Sequence, residues 1–228
     1  MRILVLTAMD KELRLVTDMM QDKKSLKDSA HKITEGYING NIIIAAKCGI
    51  GKVNAAVNTW RLISEYKPDL VINTGVAGGV DLPIASVLVA DAVTYNDVWC
   101  GPGTNFGQAD GFPQYMTPEK KFIDLILQIN ENDPSVNRGL ICSGDKFIST
   151  AEEIREIRQR FPEAKAVDME SAAIAQVCSM VNTPFIIVRV VSDTPGEGEN
   201  IEQYQDFWSR APEKTFTLVR QIIENISK

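Results

Sequence analysis

Short, unbroken apolar runs alternate along this chain with segments whose apolar residues recur at helical spacing. Ile3-Leu4-Val5-Leu6 predicts a first buried strand. Beyond Ala8-Met9-Asp10, a helix carries Leu13, Val16 and Met20 on one face. Residues 31–37 and 41–48 predict an antiparallel hairpin, turned at the pair Asn39-Gly40. Gly49-Ile50-Gly51-Lys52 leads into a helix with Val53, Ala56, Val57 and Trp60 on one face, ended before Pro68. Residues 70–73, 86–94 and 139–142 read as strands, and Phe122, Leu125, Ile126 and Ile129 mark a helix. Thr150 with Glu153 forms a capping box that opens another helix. In residues 166–194 two buried segments frame a helix bearing Ile174, Val177, Cys178 and Val181, stopped by Asn182-Thr183-Pro184. The following run, 185–191, is almost wholly apolar, as in a strand covered on both faces. This strand–helix–strand unit implies a parallel sheet with a right-handed crossover. A last long helix shows Phe216, Val219 and Ile223 inward. The class is α/β.

Open parallel sheets bind ligands beyond the carboxyl ends of their strands. Two carboxylates, Glu170 and Asp193, fall at such ends. Glu12 sits in the first turn after the first strand, where it either complements the helix dipole or serves the site. The glycines around Ile50 do not make a phosphate loop, since Val53 and Asn54 stand where the known fingerprints need Ser or Thr and a third Gly. They suit a backbone that approaches a small ligand. Thr74-Gly75-Val76-Ala77-Gly78-Gly79 is either another such approach or a tight turn. The long irregular stretch 96–117 holds Trp99, Phe106, Phe112 and Tyr115, which either fold back on their own domain or meet a partner subunit. Residues 195–200 are an acidic lid or a plain loop.

Composition narrows the chemistry. The 228 residues suit one domain, 1–228, and 44% hydrophobic content supports a sizeable core. A net charge of −6 without a basic patch argues against nucleic acid and anionic membranes as partners. The four cysteines are far apart, without metal spacing, and read as reduced thiols. His31 is the one histidine, so a multi-histidine zinc site is excluded and acid–base work falls to carboxylates. The N-terminal apolar run is too short for a signal peptide or a spanning helix, and a cytoplasmic protein is expected.

Six segments in register resemble one family. They are Ala8-Met9-Asp10-Lys11-Glu12, Gly49-Ile50-Gly51-Lys52-Val53, residues 73–79, Ser143-Gly144-Asp145-Lys146-Phe147-Ile148, Val167-Asp168-Met169-Glu170 and Arg189-Val190-Val191-Ser192-Asp193. The family is the bacterial 5′-methylthioadenosine/S-adenosylhomocysteine nucleosidases of the purine nucleoside phosphorylase superfamily. The resemblance implies a three-layer α/β/α domain around a mixed, partly barrel-like sheet. It implies hydrolysis of the bond between adenine and a 5′-substituted ribose, without cofactor or metal. It also implies a homodimer whose 97–117 loop reaches the partner's 5′ pocket. Glu12 matches the base that activates water, and Asp193, supported by Ser192, the acid at adenine N7. Glu170 matches the ligand of the ribose hydroxyls, with Met169 against the sugar. Phe147 matches the ring stacked on adenine and Ile148 the backbone at its edge. Met9, Ile50 and Val76 match pocket positions, and Arg189 a residue near the water. Phosphorylases of the superfamily hold phosphate with arginines, one at the position of Asn73, which cannot grip an oxyanion as a charged fork. A phosphorylase and a non-catalytic nucleoside-binding protein are the alternatives.

Overall fold

The computed structural model describes residues 1–26, 32–197, 199–210 and 212–226. His31 and Gly198 of the acidic segment lie outside these residues, as does the side chain of Phe216.

Strand β1 (Arg2–Thr7) is the axis of the open half of the sheet. It pairs in parallel with β4 (Asn41–Lys47) on one side and with β5 (Leu70–Gly79) on the other. The hairpin expected at Asn39-Gly40 is present: β3 (Ile33–Ile38) lies antiparallel on β4, and both turn residues have positive φ, 47° and 77°. An edge strand not anticipated, β2 (Gln21–Leu26), pairs with β3. Its sequence, Gln-Asp-Lys-Lys-Ser-Leu, carries no apolar alternation because only Leu26 at its end packs against the core, and its lysines suit an exposed edge.

Alternation along β1 builds the layers. Ile3 and Val5 enter a core with Leu13 and Val16 of α1 (Asp10–Asp18), Phe122 and Ile126 of α3 (Lys120–Ile129), and Leu218 and Val219 of α7 (Pro212–Asn225). Leu4 and Leu6 enter the opposite core, with Ala55 and Leu62 of α2 (Lys52–Tyr66) and Ile174 and Cys178 of α5 (Ser171–Met180). Each fully buried aliphatic side chain contributes about 1.5–3 kcal/mol. This is the expected three-layer arrangement. Among the described residues, no helix is long and apolar enough to cross a membrane.

The other half of the sheet closes. Strands β5, β8 (Ala164–Asp168), β7 (Val136–Ser143), β6 (Val87–Tyr95) and β9 (Phe185–Asp193) follow one another, and β9 pairs back onto β5. β6, β7 and β8 run parallel to one another, β5 runs parallel to β9, and the two junctions are antiparallel. The result is a five-stranded mixed barrel. It corrects the expected parallel crossover through α5: β8 is flanked by β5 and β7, β9 by β5 and β6, and the two strands run in opposite senses. Their apolar runs report burial, not neighbours. The six residues 74–79 are also neither loop nor turn but the second half of β5.

Gly78 explains why the site forms where it does. It pairs with Val167 of β8 and with Asp193 of β9, so the carboxyl ends of three strands meet there. A Cβ at Gly78 would lie 2.6 Å from Pro195 and 3.1 Å from Val167, so only glycine fits.

Other expectations change in detail. The face of α2 bearing Val53, Val57 and Trp60 is exposed, and its inner face is Ala55, Thr59, Leu62 and Ile63, because the polar Asn58 and Thr59 are buried with them. The final helix is two, α6 (Asn200–Arg210) and α7. α4 (Ala151–Arg160) begins at the expected Thr150–Glu153 box. In the 96–117 stretch, Phe106 packs on Phe161 and under Arg160, and the Tyr115 hydroxyl donates to Glu163 at 2.8 Å, whereas Trp99 is exposed.

Candidate active site

Where the three strand ends meet, a cleft with about 510 Å³ of empty space opens. Met9, Glu12, Ile50, Val76, Phe147, Met169, Glu170, Ser192 and Asp193 all line it, and Ile148 lines an adjoining recess. Residues as far apart in sequence as Met9 and Asp193 are thereby brought to one place by the ends of β1, β4, β5, β7, β8 and β9.

Glu12 is 2% exposed. Its Oε2 accepts the N–H groups of Ala8 and Met9 at 2.9 and 3.0 Å, and its Oε1 accepts that of Val76 at 3.1 Å. The first two bonds cap α1; the third ties the same carboxylate to β5. The carboxylate thus closes a helix end from a buried position that faces the cleft, not from the surface. Gly75 makes room for it, since a Cβ there would stand 2.6 Å from Oε1. Burial raises the Glu12 carboxyl above its ordinary pKa, against the opposing pull of Arg189 and of the backbone donors.

Asp193 closes β9. Ser192 Oγ donates to its Oδ1 at 2.6 Å, and Asn200 Nδ2 donates to its Oδ2 at 3.3 Å. Burial raises its pKa too, offset in part by those two donors. Glu170, the N-cap residue of α5, accepts the Gly51 N–H at 3.0 Å and is raised by burial and then by the neighbouring Asp168. Gly51, at the N-cap of α2, has a positive φ of 90° that favours glycine there. Phe147 is 43% exposed at the mouth, edge-on to Tyr204 with ring centres 5.8 Å apart.

Arg189 lies behind the cleft wall and does not line it. Its guanidinium, 2% exposed, pairs with Asp168 at 2.8 Å and donates to Asn73. Sequence reasoning named no role for Asp168, for Tyr204, which lines the cleft from α6, or for Asn200. Asp168 carried a signal, since it stands in a quoted motif; the other two sit in a segment read only as loop and helix. Among the described residues, no cluster of three potential ligands is disposed to hold a metal ion.

A model of the phosphorylase superfamily matches residues 2–224 of the chain. A 5′-methylthioadenosine/S-adenosylhomocysteine nucleosidase of Haemophilus influenzae is 38% identical over 230 residues, covering 99% of this chain and all of the relative. The Neisseria meningitidis enzyme of that name, solved with methylthio-immucillin-A, superposes with a TM-score of 0.92 at 35% identity over 98% of both chains. The S. pneumoniae enzyme, solved with the transition-state inhibitor MT-ImmA, gives 0.95 at 29% identity over 99% of this chain and all of that one. With the same barrel and a full-length match on both sides, this chain belongs to the 5′-methylthioadenosine/S-adenosylhomocysteine nucleosidases, N-glycosyl hydrolases of the phosphorylase superfamily.

Proposed function

We propose that this protein hydrolyses the N-glycosidic bond of 5′-methylthioadenosine and S-adenosylhomocysteine, and also of 5′-deoxyadenosine, releasing adenine and the 5-substituted ribose. Breaking this bond builds positive charge on the ribose and negative charge on the leaving purine. Asp193, protonated, gives its proton to adenine N7; Ser192 and Asn200 then stabilise the carboxylate left behind. Glu12, ionised, takes a proton from the attacking water. Glu170 holds the ribose hydroxyls, with Met169 against the sugar. Phe147 stacks on adenine, whose edge meets the backbone of Ile148, while Met9, Ile50 and Val76 complete the wall. Arg189 supplies positive charge near the water from behind that wall. The logic is the two-carboxylate chemistry of glycoside hydrolysis.

One observation carries this reading over a phosphorylase. Glu12, Asp168, Glu170 and Asp193 line the cleft together, and among its described lining residues there is no Arg, Lys or His; Lys146 lines only the adjoining recess, where it pairs with Glu153 at 2.5 Å. Such a cleft repels a phosphate dianion and admits water. The exposed stripe of Val53, Val57 and Trp60 on α2 supports a homodimer. The Lys52–Asp97 ion pair, at 2.8 Å, fastens the start of the 97–117 loop beside that stripe. The test is product identity: methylthioadenosine is supplied with rising phosphate, and the sugar product is analysed by mass. A free reducing sugar at every phosphate concentration supports hydrolysis; a sugar 1-phosphate would establish phosphorolysis instead.

A further inference from the structure

Asp168 is a buried carboxylate that the proposed chemistry does not use. Its oxygens accept from four donors: Ser143 Oγ at 2.5 Å, the Ser171 N–H and Oγ, and Arg189 Nε at 2.9 Å, while Arg189 Nη2 lies in ion-pair contact at 2.8 Å. Ser143 Oγ in turn accepts the Ala172 N–H at 2.9 Å, so β7, the end of β8 and the first turn of α5 all converge on this group. Arg189, the cation so held, comes from β9. The other groups facing it are Glu12 from α1, Glu170 from the cap of α5 and the neutral Asn73 from β5. One buried cation thus stands among three buried carboxylates, and direct contact goes to Asp168, which also lines the cleft but has no role in the proposed chemistry.

We propose that Asp168 is a positioning residue: it anchors Arg189 behind the cleft and engages its charge, leaving Glu12 and Glu170 without a bound counter-ion. A carboxylate paired with a guanidinium would be a weak base. Held apart from it, Glu12 stays basic enough to take a proton from water, and Glu170 is free to accept from hydroxyl donors. Burial raises both groups, Asp168 adds to the rise at Glu170, and Arg189 opposes it at both. The inference rests on the hydrolytic reading for its catalytic meaning but not for its test.

That test titrates the full chain by carbon NMR with 13C-carboxyl glutamate, the Glu12 and Glu170 signals being assigned with Glu12→Gln and Glu170→Gln. In Asp168→Asn the uncharged amide keeps an acceptor for Arg189 while removing the competing charge. Both midpoints are then expected to fall by about one pH unit, the low end of what one nearby charge does. Asn73→Asp does the opposite: it gives Arg189 a second carboxylate, and both midpoints are expected to rise. The acid limb of kcat/KM for adenine release should move with them, which a merely structural role would not produce. Midpoints that stay within about 0.3 unit of the wild type in whichever of the two variants folds overturn the proposal. If wild type releases no adenine, the functional reading fails, while the titration still decides this one.

Discussion

Glu12 combines a helix cap with the position proposed for the catalytic base in one set of bonds, and that combination determines how it can be tested. Three backbone N–H groups hold both its oxygens, so little freedom is left to absorb a displacement. Gly75→Ala, whose Cβ would stand 2.6 Å from Oε1, is therefore expected to lower kcat by at least about 10²-fold. The comparison is kcat against the melting temperature; a loss of kcat without a matching loss of stability locates the effect in the carboxylate. Asp193 gives a second expectation. Its pKa is raised by burial, and the proposed mechanism needs it protonated, so kcat/KM should fall about tenfold per pH unit once pH rises past that value. The same mechanism needs Glu12 ionised, so the rate should also fall as pH drops below its own raised pKa. A profile flat on the alkaline side would remove Asp193 from the role of acid. Arg189→Met leaves Asp168 buried without its partner, and about 3–5 kcal/mol of stability should be lost in denaturant unfolding.

Elements differ in how openly the chain declares them. The hairpin at Asn39-Gly40, the Thr150–Glu153 cap and the buried runs of β1 and β9 are written in local chemistry, and the structure has them where the residues place them. Thr150→Ala should accordingly cost about 1 kcal/mol in denaturant unfolding, with the activity unchanged. Strand partners are not local, which is why β8 and β9 were mistaken for parallel neighbours. Nor was β5 legible beyond Asn73: its glycines look like turn residues, yet they serve close strand approach at the barrel seam. The carboxylates at strand ends were readable for the same reason that β1 and β9 were, because a polar residue ending an apolar run is conspicuous. Tyr204 was not, since a tyrosine on an amphipathic helix carries no mark of the cleft it will face. The inner face of α2 was misjudged because Asn58 and Thr59 are buried while two valines and a tryptophan are not.

At the scale of the whole molecule, that misjudged face is informative. Val53 is 73% exposed and Trp60 58%, on a helix whose other side is fully packed. An exposed apolar stripe of this kind is where the proposed homodimer interface would lie. Trp60→Glu is expected to turn a dimer into a monomer in analytical ultracentrifugation; an unchanged sedimentation coefficient would place the interface elsewhere. The barrel brings three strand ends to Gly78, so that Glu12, Glu170 and Asp193, the proposed base, sugar ligand and acid, reach one cleft from distant parts of the chain. Whether those carboxylates activate water is settled most directly by adenine release from methylthioadenosine in phosphate-free buffer, wild type beside Glu12→Gln. Release by the wild type, with the variant slower by about 10²–10⁴-fold, is the expected result. Release that requires added phosphate, or that proceeds equally well in Glu12→Gln, would contradict it.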